Sequence, residues 1–478
     1  MAALGVLTVG ILAAGYTVDD AYIVGRFAQN LAWGEGYGLN PGVPADGLTG
    51  PLWIVPGWIA ASLGLDPVAI AKGTGLLCAA VAAGLVVRRL AARARGRRTA
   101  PTAAALLIAS PSLGTWGVAG LETGAAALLL TVAVLGATHR PRAHATATGL
   151  AIGALAWLRP ELAFVAAGPL LVLWRRNTRA LARALALACA GAAGVLIFRQ
   201  LSFGHTLPLS FDAKAGDLGH GVGYALRGLA LATSVVGLWL AGRGARSGRV
   251  DDLLLGCGLA AHIPAVMLAG GDWMPGYRLL TPVLPLYAML AALGAARLRS
   301  RRRWPLVLVT ALACSVPLAD LATRLPEHRA AARSQAGAAE ISAWLKANAR
   351  HVALVDVGLL PYQSGVRVLD LGAITDAEIA RLPGGHLDKR IGDTLLRERD
   401  PDLLLLHSAR LPAVDDAGRL RGLAGYPVER RVAALPWVRE HFRVARVFTY
   451  RPGYLYVALT RSQESPAENH EGHAQELE

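Results

Sequence analysis

The chain has 478 residues, of which 54% are hydrophobic and only 17% are charged. Soluble domains carry about 25% charged residues, so this composition excludes a purely soluble protein. The formal net charge of +15 would indicate nucleic-acid binding in a soluble protein. Here, however, the basic residues lie in short spacers between apolar runs, which is typical of membrane topology and argues against a nucleic-acid partner.

Apolar runs that approach the ~20 residues of a membrane-spanning helix recur along the first two thirds of the chain. The predicted spans cover residues 1–18, 68–87, 100–115, 121–138, 145–158, 161–174, 181–198, 224–242, 251–269, 279–296 and 304–322. The apolar stretch 51–65 is short and contains Pro56, so we interpret it as a re-entrant or interfacial segment. The pattern predicts an α-helical polytopic membrane protein with about eleven transmembrane helices.

The distribution of arginine and lysine predicts the orientation of the chain. One set of alternate loops contains twenty arginines, whereas the other set and its edges contain six arginines and lysines. Because short cytoplasmic loops are enriched in these residues, the first set is predicted to lie in the cytoplasm. In a cytoplasmic (inner) membrane the N-terminus is then inside, and Asp19, Asp20 and everything after residue 322 are outside.

The apolar character ends near residue 325. The string "EHRAAARSQAGAAEISAWLKANA" (327–349) predicts an amphipathic helix, and "HVALVDV" (351–357) and "DLLLLHS" (402–408) predict short buried strands. We therefore predict three regions: a transmembrane domain over 1–324, a small extracytoplasmic α/β domain over 325–461, and a disordered acidic tail over 462–478.

The polar residues predicted at the outer ends of the spans form the candidate site. Asp19 and Asp20 are either a solvated helix end or a functional pair, and we favour function because carboxylates beside lipid are costly to desolvate. Arg278 either snorkels to the headgroups or binds phosphate, and Glu122 is expected to pair with a nearby arginine. His205 and Lys214 are either functional or ordinary loop residues. The remaining candidates are Arg26, Arg159 and Asp272.

Several motifs, in order, resemble one family. The strings "DDAYIVGRFAQNLAWGEGYGLNPG" (19–42) and "DGLTGPLW" (46–53) resemble the first outer loop of bacterial polytopic glycosyltransferases of the C-type (GT-C) fold. Among these they are most similar to the mycobacterial terminal β-(1→2)-arabinofuranosyltransferases. The likeness continues through "GLET" (120–123), "LRPE" (158–161), "FGHTLPLSFDAKAG" (203–216), "GGDWMPGYRLLTPVLPL" (270–286) and "VALVDVGLLPYQSGVRVLDLGAITDAEIA" (352–380).

The resemblance implies transfer of a sugar, with arabinofuranose as the candidate, from a polyprenyl-phosphate carrier to a cell-envelope glycan or lipid acceptor. In that reaction a first-loop carboxylate acts as general base, Asp19 before Asp20. Cationic side chains steady the departing phosphate. The candidates for this second role are Arg278 and Lys214, followed by His205 and Arg159.

Three alternatives stay open at this point. A divalent cation, Mg or Mn, is a candidate cofactor, with Asp19 and Asp20, and Asp272 beside them, as oxygen ligands. One of the two first-loop acids is alternatively a nucleophile that forms a glycosyl-enzyme, which would preserve the anomeric configuration. A flippase or exporter of lipid-linked sugars would also need an outer polar cavity, but it would not need a base.

Overall fold

The structure, a computed structural model, describes residues 1–93, 96–213, 217–298 and 304–462. Within these ranges the structure describes the backbone but not the side chains of residues 97, 212, 213 and 325–336. The predicted donor-phosphate residue Lys214 and the predicted tail from residue 463 onward lie outside the described residues.

The first part of the chain is helical. The helices are α1 (Ala2–Leu12), α2 (Asp19–Ala32), α3 (Ile54–Ser62), α4 (Pro67–Ala91), α5 (Gly96–Ala109), α6 (Pro111–Val118), α7 (Thr123–Thr138), α8 (Pro141–Leu158), α9 (Ala163–Arg176), α10 (Thr178–Phe203), α11 (Leu209–Ala213), α12 (Leu218–Gly228), α13 (Val235–Ala245), α14 (Val250–Leu268), α15 (Leu284–Ala295) and α16 (Trp304–Asn348). Short 3-10 turns at Pro51–Trp53, Pro160–Leu162 and Arg278–Val283 lead into α3, α9 and α15.

Every predicted span coincides with one or two of these helices, but fewer than eleven reach membrane length. By length and composition, five units within the described residues qualify: α4, α10, α14, Arg278–Ala295 and Trp304–Arg324. A π-helical turn, Leu229–Thr233, continues α12. The resulting helix Leu218–Thr233 and α13 (Val235–Ala245), which are bent by 87° relative to each other, would together make a sixth span. The 18-residue α8 is long enough but not apolar enough. The remaining helices are shorter, in one case because Pro111 begins a new helix inside the predicted span 100–115. The chain is thus a multi-pass helical membrane protein.

The 51–65 segment forms a 3-10 turn followed by α3. With nine residues, α3 is about 14 Å long, which is too short for a hydrocarbon core of about 30 Å. Trp58, Ile59 and Leu63 are exposed on its surface. An interfacial or re-entrant segment has these properties.

Small residues let α8 and α10 approach each other closely. A Cβ atom on Gly191 would lie 2.5 Å from the Cα atom of Gly153, so only glycine fits there. Trp157 Nε1 also donates a hydrogen bond to the carbonyl oxygen of Gly191 over 2.8 Å. Such close backbone packing is a common way to hold helices together in lipid. This contact sets the relative positions of Arg159, which follows the last residue of α8, and Arg199, which lies in the last turns of α10.

The C-terminal α/β domain contains a five-stranded mixed sheet. The strands of the domain are β1 (His351–Leu354), β2 (Arg367–Asp370), β3 (Leu403–Ser408), β4 (Ala413–Val414), β5 (Leu420–Gly422), β6 (Phe442–Arg451) and β7 (Tyr454–Arg461). The helices are α17 (Leu359–Ser364), α18 (Ala377–Ala380), α19 (Asp393–Arg399), α20 (Pro427–Ala434) and α21 (Pro436–His441). The strand order is β2-β1-β3-β7-β6, and β4 pairs with β5. Strands β1, β2 and β3 are parallel, whereas β7 runs antiparallel to β3 and β6.

The two predicted strands are confirmed as β1 and β3. The membrane helices and the C-terminal domain share one continuous element, because α16 runs unbroken for 45 residues from Trp304 to Asn348. The change of character predicted near residue 325 therefore falls inside a helix and does not mark a loop.

Candidate functional site

A carboxylate and a guanidinium meet where α2 begins. Arg278 Nη1 lies 3.9 Å from Asp20 Oδ2, and Arg278 Nε lies 2.8 Å from Asp272 Oδ2. The Asp272 carboxylate also accepts a hydrogen bond from the amide of Met274 over 3.3 Å. The side chain of Asp20 is 32% exposed, against 11% for Arg278 and 2% for Asp272. Asp272 therefore holds Arg278 in place, while Asp20 stays accessible.

The guanidinium of Arg278 rests on a buried aromatic pair. It lies 5.7 Å from the centre of the Trp116 ring, and the Trp116 indole nitrogen donates to the carbonyl oxygen of Gly276 over 2.9 Å. The ring of Tyr16 packs edge-on against Trp116 at 6.1 Å. A cation over an aromatic face is attracted by the ring quadrupole, and more so when it is desolvated. Arg278 is thereby oriented by both a carboxylate and an aromatic ring.

Asp19 has a different environment from its neighbour. Its two carboxylate oxygens accept hydrogen bonds from the amides of Gly358 and Leu359, at 2.9 and 2.8 Å, at the start of α17. Burial, and next the charge of Asp356, raise the pKa of Asp19 from 3.8 to about 7, although the Leu359 amide opposes the shift. Asp19 thus binds the C-terminal domain to the membrane helices.

The rest of the first loop also contacts the C-terminal domain. Arg26, which is buried, donates to the carbonyl oxygen of Gly365 over 3.1 Å. The side chain of Asn40 accepts from the amide of Val368 and donates to its carbonyl oxygen, both over 2.8 Å. The structure therefore places Arg26 at the domain contact and not beside Arg278.

Arg159 is surrounded by acids. Its Nε lies 2.6 Å from Glu122 Oε1, and its Nη1 lies 3.0 Å from Glu161 Oε1, so the expected pairing of Glu122 with a nearby arginine is confirmed. Burial favours the neutral form, but Glu122 and then Glu161 raise the pKa of Arg159 above its ordinary value. The charge of Asp272 adds to the same shift.

His205 lies in another polar group, around Asp46. Its Nδ1 atom is 2.8 Å from the carbonyl oxygen of Leu207 and 3.7 Å from Asp46 Oδ2. The main partner of Asp46 is Arg199 Nε at 3.0 Å, and both side chains are almost fully buried. Arg199 also donates to the carbonyl oxygens of Leu48 and Thr49. This ion pair fixes the "DGLTG" segment and was not predicted, although Arg199 at the end of an apolar run was a visible signal.

Lys72 is a second residue that the sequence analysis missed. Its ammonium donates to the carbonyl oxygen of Ala14 over 2.7 Å and to Thr17 Oγ1 over 2.6 Å. Lys72 therefore holds the turn that precedes Asp19 and Asp20. The signal was a lone lysine inside the predicted span 68–87, because ionisable residues within apolar spans are usually functional or buried in protein.

An aromatic cluster in the C-terminal domain borders Asp19. Tyr454 and Tyr456 both donate to Asp356 Oδ2, the latter over 2.6 Å. The ring of His407 packs 4.0 Å from that of Tyr454 and 4.8 Å from that of Tyr426. Neither ring nitrogen of His407 has a hydrogen-bond partner among the described residues, and burial lowers the pKa of this histidine.

The acid pair does not fit the divalent cation considered above. Both oxygens of Asp19 are taken by backbone amides, and the nearest charged partner of Asp20 is the cation Arg278. Asp272 is likewise engaged by Arg278. Among the residues that the structure describes, no group of three or more His, Cys, Asp or Glu side chains could hold a metal ion. The chemistry discussed below therefore uses no metal.

Comparisons with known proteins identify the fold. The model of a family described as Domain of unknown function (DUF8728) matches residues 325–464. No curated protein matches the chain. The crystal structure of ArnT from Cupriavidus metallidurans bound to undecaprenyl phosphate is similar over 95% of this chain and 96% of ArnT, with a TM-score of 0.61 and 14% identity. The apo structure of ArnT gives a TM-score of 0.60 and 15% identity over the same shares.

The GT-C-like architecture, helical and polytopic with a small C-terminal α/β domain, is therefore confirmed. At 14–15% identity the likeness concerns the fold alone. It carries no information on a relationship to arabinofuranosyltransferases.

Proposed function

We propose that this protein is a membrane glycosyltransferase that moves a sugar from a polyprenyl-phosphate carrier to a glycan or lipid acceptor. The observation that carries the proposal is the chain of side chains Asp20–Arg278–Asp272, which brings an accessible carboxylate to within 3.9 Å of an oriented guanidinium. The proposal is supported by the fold shared with ArnT, which was crystallised with undecaprenyl phosphate.

Arg278 binds the phosphate of the sugar donor in this reaction. A guanidinium matches two phosphate oxygens with parallel N–H groups, and Asp272 and Trp116 orient it in advance. As the bond between the anomeric carbon and the phosphate oxygen breaks, the electron pair stays on the phosphate. A preorganised cation stabilises the charge that develops there. Lys214, His205 and Arg159 remain proposed contributors.

Asp20 provides the acceptor side. Its carboxylate takes the proton of the acceptor hydroxyl as that oxygen forms its bond to the anomeric carbon. We place Asp20 ahead of Asp19 in this role, since both oxygens of Asp19 are occupied by the amides of Gly358 and Leu359. Asp19 instead positions the C-terminal domain over the site. A direct displacement of this kind inverts the anomeric configuration, whereas a glycosyl-Asp20 intermediate would retain it.

The two substrates approach from different surfaces in this proposal. The exposed apolar side chains of α3, including Trp58, Ile59 and Leu63, suit the prenyl chain. The half-buried tyrosines of the C-terminal domain, Tyr454 and Tyr426, form an aromatic surface with polar groups, and we place the glycan acceptor there. In the orientation predicted from arginine counts, transfer takes place outside the cytoplasmic membrane. The motif resemblance makes arabinofuranose the first sugar to test.

The test uses the full-length protein in vesicles. It receives polyprenyl-phosphate arabinofuranose and then other pentose and hexose donors, together with a crude cell-envelope glycan, and mass spectrometry follows the donor and the product. We expect transfer by the wild type and a loss of about 10²- to 10⁴-fold in Asp20→Asn. The neighbouring Asp19→Asn serves as the matched control and retains more activity, because it disturbs docking and not proton transfer.

Two outcomes contradict the proposal in different ways. Full activity in Asp20→Asn removes this residue as the base. Movement of intact lipid-linked sugar across the vesicle membrane, without transfer, identifies the protein as a flippase instead.

A further inference from the structure

A basic cavity lies at the end of the bundle opposite Asp20. Its volume is about 530 Å³, and its lining consists of Arg140, Pro141, Arg142, Ala143, Arg175, Arg176 and Asn177. The 18 residues of α8 separate Arg140 from Arg159, which corresponds to about 27 Å of helix. The cavity thus sits between the α7–α8 and α9–α10 connections, where the helices leave the apolar layer, and it is distinct from the site described above.

Positive charge exceeds negative charge around this cavity. Asp251 pairs with Arg175 over 2.9 Å and with Arg176, while Asp252 accepts from the hydroxyl of Ser247. These two carboxylates stand among a larger set of arginines: Arg89, Arg93, Arg140, Arg142, Arg175, Arg176 and Arg249. The ion pairs therefore leave most of the positive charge at this end unneutralised.

Two arginines whose charges interact with that of Arg176, a residue of the cavity lining, have unsatisfied donors. Arg89 Nε and Arg93 Nε and Nη1 are buried and have no hydrogen-bond partner among the described residues. Burial lowers the pKa of the Arg93 guanidinium, and Asp252 opposes this shift. Three further arginines increase the shift: Arg89, Arg249 and Arg176.

The charges of Arg89, Arg93 and Arg249 act on one another and on that of Arg176, which lines the cavity. Arg89 is also the largest cause of the lowered pKa of His139, directly beside Arg140 at the cavity. Buried donors without partners are costly, and each calls for an acceptor. Guanidinium groups held close together repel one another, and a bound anion relieves this repulsion.

We propose that this cavity binds a phosphate group, either the headgroup of an anionic phospholipid or free phosphate. Arginine forks match phosphate oxygens bidentately, and a phosphate offers enough acceptors for several guanidinium groups at once. The cavity lies just outside the predicted spans 145–158 and 161–174, at the start of α8 and the end of α9, where lipid headgroups are expected. Basic pockets between membrane helices bind such headgroups. The inference is independent of the proposed function.

The test measures binding of fluorescent phosphatidylglycerol to the full-length protein in neutral detergent, with phosphatidylcholine as the uncharged comparison and inorganic phosphate as competitor. The variant Arg140→Gln/Arg142→Gln removes two exposed arginines of the cavity. The matched control Arg88→Gln/Arg246→Gln removes the same charge from exposed positions at the same end that do not line the cavity. Thermal unfolding of each variant without probe confirms that it folds.

We expect phosphatidylglycerol to bind the cavity variant about thirtyfold more weakly, about fivefold for each arginine, and to bind the control variant as it binds the wild type. Displacement by millimolar inorganic phosphate identifies free phosphate as the ligand, and persistence of binding identifies the lipid headgroup. Equal binding of phosphatidylcholine, or equal weakening in both variants, overturns the proposal.

Discussion

The two ends of the helical bundle hold their charged residues in opposite ways. At the Asp20 end each of three arginines is paired with acids: Arg278 with Asp272 and Asp20, Arg159 with Glu122 and Glu161, and Arg199 with Asp46. At the other end the arginines around the basic cavity outnumber Asp251 and Asp252. An unbalanced end attracts anions through its net charge. A balanced end instead offers individual side chains with fixed orientations, and this is what a reaction requires.

The largest effect is expected from breaking the most deeply buried pair at the balanced end. Arg199→Leu leaves the Asp46 carboxylate buried and unpaired, which lowers the free energy of unfolding by about 3–5 kcal/mol. Thermal or denaturant unfolding in detergent measures the loss. The double variant Arg199→Leu/Asp46→Leu should recover part of it; equal instability in both would show that the pair itself does not matter.

Arg278→Gln removes the cation that we propose to face the donor phosphate. We expect kcat to fall about 10²- to 10³-fold, because charge that develops in the transition state loses its preorganised partner. Arg278→Lys keeps a positive charge and should lose less. Arg246→Gln, at the opposite end of the bundle, should transfer sugar at the wild-type rate. A comparable loss of kcat in Arg246→Gln would contradict a specific role for the cation at the Asp20 end.

Two buried acids, one at each end, offer a matched comparison of smaller effects. Asp272→Asn frees Arg278 from its orienting carboxylate, and the resulting misplacement is expected to cost about 10- to 100-fold in kcat. Asp251→Asn releases Arg175 and Arg176 in the same way but should leave kcat unchanged. Steady-state transfer assays on both variants show whether kcat depends on the carboxylate next to Arg278 or on any buried carboxylate of the bundle.

The last prediction concerns the pH dependence of stability. The pKa of Asp19 is raised from 3.8 to about 7, so the folded protein keeps a proton that the unfolded chain has lost in this range. The contribution of Asp19 to stability is therefore complete below pH 3.8 and is lost as the pH rises towards 7. The melting temperatures of the wild type and Asp19→Asn, compared across this range, should differ by an amount that changes with pH; a constant difference would contradict the shift.

Much of the fold follows directly from the sequence, since long apolar runs and the buried strands β1 and β3 are strong local signals. The number of membrane-length helices does not, because breaks such as Ser110–Pro111 and the bend at Ser234 depend on tertiary packing. The β6–β7 hairpin had a signal in the Pro452–Gly453 turn, where Gly453 has a φ of +72°. Segments rich in β-branched and aromatic residues flank that turn.

The candidate site was predicted in part. The pattern of polar helix ends gathers Asp20, Arg278 and Asp272, which the structure brings together, and Glu122 with Arg159. It does not distinguish Asp19 from Asp20. Successive residues of a helix point about 100° apart, so two adjacent acids at the start of α2 face different neighbours. Which neighbour each one meets depends on where the C-terminal domain docks, and that is a contact between residues more than 300 positions apart.

The unbroken length of α16 has a mechanical consequence. Its 45 residues form a rod roughly 67 Å long, so the last membrane span and the sheet domain turn together. One residue inserted into this rod would rotate the domain by about 100° and displace it by about 1.5 Å. Gly358 and Leu359 would then be carried away from Asp19. The length of α16 thus sets how the C-terminal domain is oriented relative to the membrane helices, and the hydrogen bonds of Asp19 hold that orientation.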